Sequence, residues 1–189
     1  MTYDADNVIK TPRLEIQHFK EEFLTSRYVS WLNDKEVMKY SEQRHRAHTI
    51  ESCREYYQSF KDTPNILWAI SIKDGGVGHI GNATAYIDIK HSIADIGILI
   101  GERQMWGQGF GYEAWMGICD YLFRVQEMRK VTTGAISTNS RMLVIMRKAG
   151  MKDDGMRVRQ YLWQSQEVDV CHFALFRTDW CDIYPRGPF

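Results

Sequence analysis

Leu14 and Ile16 alternate with Arg13, Glu15 and Gln17, and this period-two pattern predicts a half-buried strand over residues 13–19. Pro12 stands just before it, where a missing N–H costs least. Thr25 or Ser26 then caps a short helix through Tyr28, Val29, Trp31 and Leu32, ended by Asn33 and Asp34. Thr49 reads as the N-cap of a second helix with Ser52 at its third position. Cys53, Tyr56, Tyr57 and Phe60 recur there at helical spacing until Thr63-Pro64-Asn65 breaks the run. Residues 66–72 form a compact apolar strand, Asp74-Gly75-Gly76 a turn, and residues 79–89 and 94–100 two further strands, together an antiparallel meander. Beyond them the period changes. After the glycines at 107–111, Ala114, Trp115, Ile118, Cys119, Leu122 and Phe123 mark one face of a helix ending near Gln126. A strand over 130–137 follows, then a helix over 139–149 stopped by Gly150. Residues 159–163 and 168–176 read as a closing hairpin.

The predicted order is strand, two helices, three strands, helix, strand, helix, two strands. This is an α/β chain of the α+β type, with a mixed, mostly antiparallel seven-stranded sheet and about four helices. The strand–helix–strand passage in the middle calls for a right-handed crossover and one parallel pair. There is no internal repeat. A single domain is expected over 11–180, with 1–10 and 181–189 as terminal extensions, the last loosely attached.

Composition narrows the classes. The chain has 189 residues with 24 basic and 24 acidic side chains, so no net charge draws it toward nucleic acid or an anionic membrane. Its 44% hydrophobic content supports one sizeable core and excludes wholesale disorder. No run approaches the ~18 apolar residues of a membrane span, and residues 1–10 carry no apolar stretch of a secretory signal. Cys53, Cys119, Cys171 and Cys181 lie far apart in apolar surroundings and read as reduced thiols. A cytoplasmic protein with no nucleic-acid or membrane partner is expected.

The chemistry concentrates at Gln104-Met-Trp-Gly107-Gln108-Gly109-Phe110-Gly111, between a strand and a helix. Glycines there let several N–H groups converge on one point, and the helix adds its positive end, so a diphosphate is the natural occupant. The spacing fits neither the P-loop nor the dinucleotide fingerprint.

Gln104-x-x-Gly107-x-Gly109 resembles the pyrophosphate loop of the GCN5-related N-acetyltransferase (GNAT) superfamily. Further blocks agree in order: Thr11-Pro-Arg-Leu-Glu15, Ala94-Asp95-Ile96-Gly97, residues 130–139 ending in Asn139, Lys148-Ala-Gly150-Met151, and Asp169 in the last hairpin. The resemblance covers roughly residues 11–180 and is greatest to ribosomal-protein N-terminal and sugar-pathway N-acetyltransferases.

The resemblance implies acetyl-CoA as donor, a primary amine as acceptor and no metal. Pantetheine would slot between two splayed strands and pair with backbone at Ile98, Leu99 and Ile100. The diphosphate would rest on the loop of Gln104, Gly107, Gln108, Gly109, Phe110 and Gly111. Asn139 would contact the pantetheine arm or the reaction centre. Asp95, where many relatives carry glutamate, is either the base, directly or through water, or an ordinary strand-end carboxylate. Met146 stands where relatives often place a tyrosine that protonates the departing thiolate. His79 reads as a structural histidine more than a base, and Ser140 as a capping residue more than a donor. His45 and His48 lack the partners of a metal site. Arg44-His45-Arg46 tilts the acceptor toward an anionic small metabolite such as a nucleotide-linked amino sugar. A protein N-terminus is the alternative, and a catalytically silent acyl-CoA-binding regulatory module the contrasting class. Edge strands near Trp163 can pair in a homodimer.

Overall fold

The protein is described by a computed structural model over residues 2–3, 8–73 and 77–189; the turn expected at 74–76 lies outside the described residues. Two short strands, β1 (Thr2–Tyr3) and β2 (Ile9–Lys10), precede β3 (Leu14–His18). Helices α1 (Ser26–Asn33) and α2 (Ile50–Gln58) follow. The Thr25 hydroxyl accepts from Tyr28 N, and Thr49 and Ser52 close a reciprocal capping box, as the sequence pattern predicts. The meander is β4 (Ile66–Ile72), β5 (His79–Asp88) and β6 (Ile93–Ile100). Then come α3 (Phe110–Arg124), β7 (Lys130–Ile136), α4 (Ser140–Lys148), β8 (Lys152–Trp163), β9 (Gln166–Phe176) and α5 (Arg177–Ile183).

All strands join one sheet in the order β1-β2-β3-β4-β5-β6-β7-β9-β8. Every pairing is antiparallel except β6 with β7. Among the described residues the sheet thus has nine strands where seven were expected, the two additions being β1 and β2, each too short to show a period. Helix α5 is also additional to the predicted four. The strand period of two sends alternate residues to two cores. On one face Trp68, Ile70 and Ile96 pack with α3, with Leu143 and Met146 of α4 and with Trp180 of α5. On the other, Leu67 and Ala69 pack with Tyr28 and Trp31 of α1 and Cys53 of α2.

Both expected terminal extensions contribute to the first core. Ile9 of the first is fully buried in it, and Tyr184 of the second packs against it beside the fully buried Trp180. The four cysteines are unpaired thiols. Among the described residues no helix is long and apolar enough to cross a membrane.

Candidate active site

The parallel pairing of β6 with β7 is brief. It runs Ile93 with Lys130, Ala94 with Val131 and Asp95 with Thr132, and then stops. The Thr133 hydroxyl takes the Ile96 carbonyl at 2.8 Å, and beyond that point the strands diverge. Antiparallel geometry decides what the diverging edge of β6 offers. Gly101 N donates back to Ile80 O beside β5, so by alternation Leu99 also turns its backbone groups toward β5, whereas Ile98 and Ile100 turn theirs into the opening. The Ile100 carbonyl is already taken by Trp106 Nε1 at 2.7 Å. The Ile98 N–H and C=O and the Ile100 N–H are what remains for a ligand. By this alternation the backbone groups of Leu99, expected to face the cofactor, turn to β5, and the residue still lines the opening.

A cleft of about 660 Å³ occupies this opening. Of the expected cofactor residues, Ile98, Leu99, Ile100, Gly107, Gly109, Phe110, Gly111 and Asn139 line it. Gln104 and Gln108 do not. They brace the loop from outside, with Gln108 Nε2 donating to Gln104 O at 2.7 Å. Gly107 and Gly109 have φ of 77° and 83°, the left-handed region that an L side chain enters at a cost. Gly109 is the N-cap of α3, so the unpaired N–H groups of the first helical turn open beside the cleft.

The loop is clamped from beneath. Glu113, 5% exposed in the first turn of α3, accepts from the Thr11 hydroxyl, Arg13 N and Arg13 Nε at 2.6–2.7 Å. Arg13 also donates to Gln108 O at 2.9 Å and stacks on Phe110 at 4.3 Å. Neither the strand pattern that includes Arg13 nor the resemblance at residues 11–15 shows this partner, which lies about a hundred residues away in the chain. At the open end Arg103 and Arg141 stack on Trp106 at 5.8 and 5.0 Å.

Asp95 and Asn139 do not come together. Asn139 caps α4, its Oδ1 accepting from Met142 N at 3.3 Å, and stands toward the loop end of the cleft. Asp95 lies in the last paired register of β6 and β7 and is not among the residues that line the cleft. Its Oδ2 accepts from the Thr132 hydroxyl at 2.8 Å. Desolvation of its carboxyl raises its pKa above the ordinary aspartate value, against smaller opposite effects of Thr132 and His172, although the residue as a whole is exposed. His172 lies over Gly134: a Cβ on that glycine would sit 3.2 Å from its Nδ1. Its Nε2 is buried without a hydrogen-bond partner. Strand pairing alone brings His172 beside Asp95, and the sequence reading did not single it out. Met146 is fully buried in the core, so no proton donor replaces the tyrosine there.

A second pocket, of about 520 Å³, meets the cleft at Ile98 and Leu99. Its floor is Leu67, Asn82, Thr84 and Gly97 of the sheet, and its walls come from α1, α2 and the segment between them, including Tyr28, Arg46, Cys53 and Glu55. Of the basic run, only Arg46 reaches it. Arg44 is spent on Glu42 at 2.6 Å and on the Ser41 and Leu162 carbonyls, and His45 lies 3.9 Å from Glu42. Among the described residues no group of three or more His, Cys, Asp or Glu is placed to hold a metal ion.

Comparison with known proteins agrees with this geometry. No curated protein matches the chain by sequence. A GNAT-family acetyltransferase from Bacillus anthracis is 19% identical with TM-score 0.77, over 90% of this chain and 99% of that one. Spermidine N-acetyltransferase from Vibrio cholerae, solved with CoA and spermine, is 17% identical with TM-score 0.78, over 89% and 98%. A ribosomal-protein α-N-acetyltransferase in complex with coenzyme A is 14% identical with TM-score 0.77, over 89% and 97%. These likenesses establish the fold. The family model described as an acetyltransferase (GNAT) domain matches residues 13–152, and with that match over most of its length the chain belongs to the GNAT acetyltransferases.

Proposed function

We propose that the protein is an acetyl-CoA-dependent N-acetyltransferase acting on a primary amine. The observation that carries this reading is the divergence of β6 from β7, which leaves Ile98 and Ile100 backbone groups facing a cleft that ends on the glycine loop and the α3 N-terminus. Acetyl-CoA supplies the activated acetyl thioester, and the acceptor amine attacks it directly, without a covalent enzyme intermediate. Backbone of Ile98 and Ile100 orients the pantetheine as an added strand, and N–H groups of Gly109, Phe110 and Gly111 receive the diphosphate. Asn139 holds the cofactor arm near the loop end, so its role is binding and not proton transfer.

The acceptor enters through the smaller pocket, which reaches the cleft at Ile98 and Leu99. Asp95 stands on the same sheet face one step beyond Gly97, outside the pocket wall, and takes the amine proton through water. The thiolate leaves unaided by Met146, since a thiol of pKa ~8.5 is a fair leaving group near neutrality. For the acceptor, a nucleotide-linked amino sugar draws support only from Arg46, the single member of the basic run at the pocket. A protein N-terminus is the other acceptor considered. The buried Met146 is the observation that favours a silent acyl-CoA-binding module.

The deciding assay is amine-dependent release of CoA thiol, with peptides, amino sugars and polyamines as acceptors. Turnover is the expected result. Tight acetyl-CoA binding with no thiol release across the panel would replace the enzyme reading with the binding module.

A further inference from the structure

One stretch of chain stands between the two pockets. After α1, Val37 and Tyr40 line the cofactor cleft, while Met38, Ser41 and Arg46 line the smaller pocket. Neighbouring residues of a single segment thus serve both spaces. Among the described residues the two linings share only Ile98 and Leu99 of β6.

The segment has little of its own to hold it. Val37 and Met38 are buried in the core under α1 and α2, but from Lys39 to Arg46 no residue is buried. A short helical turn at Glu42–His45 is closed by local bonds of Ser41 and Arg44. So exposed a stretch opens easily unless something outside it fixes its place. Beyond residues 33–48, its hydrogen bonds among the described residues are two, and both go to the turn of the last hairpin. Trp163 Nε1 donates to Lys39 O at 3.0 Å, and Arg44 donates to Leu162 O at 3.2 Å. Trp163 also stacks on Tyr40, with ring centres 5.7 Å apart and planes 21° from parallel. Both rings pack on Ile136, Val168 and Val170.

The hairpin brings Trp163 to this place. Of the twelve residues of β8 it alone is not exposed. It pairs with Gln166 across a two-residue turn whose members, Gln164 and Ser165, have φ of 51° and 64°. That hand of turn continues the twist of the strands, and residues other than glycine enter it at a cost. Trp163 lines neither pocket; it backs Tyr40, which lines the cleft.

We propose that Trp163 is a positioning residue for acetyl transfer: from the hairpin turn it fixes residues 39–46, and Tyr40 with them, as the wall between cofactor cleft and acceptor pocket. The inference rests on the reading of these pockets as donor and acceptor sites. Its test compares Trp163→Ala and Trp163→Phe with the wild type and with Val158→Ser, a change at an exposed position of the same strand. Amide hydrogen exchange is followed over 39–46 and over α3, with and without CoA. Calorimetry gives the affinity for CoA, and thiol release with alanylglycine, glucosamine and spermidine gives kcat and KM. Trp163→Ala is expected to quicken exchange over 39–46 by roughly fivefold or more, the worth of a stacked ring and a hydrogen bond together. Exchange in α3 should not change. For each acceptor that turns over, kcat/KM should fall by a similar factor, while CoA affinity, set chiefly by β6 backbone and the glycine loop, stays within about twofold. Trp163→Phe keeps the stacked ring and loses only the bond to Lys39 O. It should lie between alanine and wild type, and it carries the test if the alanine variant does not fold. Val158→Ser should match the wild type. Unchanged exchange over 39–46 in Trp163→Ala overturns the inference, and so does quicker exchange with kcat/KM unaltered or quicker exchange throughout the chain. A wild type silent with all three acceptors sinks the catalytic reading instead, and exchange then still decides whether Trp163 fixes the wall.

Discussion

At Asp95 desolvation of the carboxyl opposes the influences of Thr132 and His172, and desolvation is the largest, raising its pKa above the ordinary value of 3.8. The folded state thus holds this proton more tightly than the unfolded chain. Its stabilising contribution is complete below the unfolded value and is lost as pH rises through the folded one. Asp95→Asn should therefore melt above the wild type at neutral pH, and the gap should close in acid below 3.8. The same substitution should depress turnover and remove the lower limb of the pH–rate profile, which in the wild type should lie above the ordinary aspartate range. An unchanged limb would show that some other group takes the proton. Gly109 makes a different demand. At φ 83° a valine is strained by roughly 1–2 kcal/mol, and its branches crowd the place where a diphosphate must approach. Gly109→Val should lower acetyl-CoA affinity at least tenfold by calorimetry while the fold survives; wild-type affinity would remove the loop from the diphosphate assignment.

At the scale of elements, the start of α3 is held by a strand distant in sequence. Glu113 accepts three hydrogen bonds from Thr11 and Arg13, and Arg13 passes the constraint to the loop through Gln108 O and Phe110. Glu113→Gln keeps the size and loses the charge. It should cost about 1–3 kcal/mol in denaturant unfolding, since charge-assisted hydrogen bonds are being weakened in a buried place. It should also weaken acetyl-CoA binding, because the loop would no longer be preset. Lost stability with unaltered affinity would mean that the clamp serves the fold alone. β8 illustrates an element that pattern reading finds only in part. Residues 159–163 were expected, yet the strand runs Lys152–Trp163 along the sheet edge. Nearly all of it is exposed, and two register shifts interrupt its pairing with β9. With neither face buried, no alternation of side chains is required, and the pairing is made by backbone.

At the scale of the whole molecule, the ends of the chain close the core under α3. Trp180 is fully buried, and its Nε1 donates to Asp120 Oδ1 at 2.8 Å. Asp120 also pairs with Arg124, which donates to the Tyr184 carbonyl. Trp180→Ala should cost about 3–5 kcal/mol, as large aromatic deletions from a core do, and a chain ending after Phe176 should be at least as impaired. A melting temperature unchanged by either would show that Trp180 does not hold this core together, and a chain ending after Trp180 that melts like the full chain would fit residues 181–189 as a loose extension.

Much of the sheet and the N-caps of α1 and α2 were legible because they are local. Thr25, Thr49 and Ser52 act on N–H groups within three residues, and the meander strands declare themselves by short apolar runs. The glycine loop was legible for the same reason, since its conformation needs particular residues at particular positions. What the tertiary structure alone decided is every relation between strands: that backbone groups of Ile98 and Ile100, not those of Leu99, turn toward the cleft, that Gln104 and Gln108 brace the loop from outside, and that Asn139 lines the cleft while Asp95 stands outside it. The meeting of Asn82 and Tyr28 belongs to the same class, since they lie on β5 and α1 and only the packing of that helix on the sheet brings both to one pocket. Chain-local signals set which elements form; hydrogen-bond register and packing set which side chains face one another, and the chemistry depends on the second.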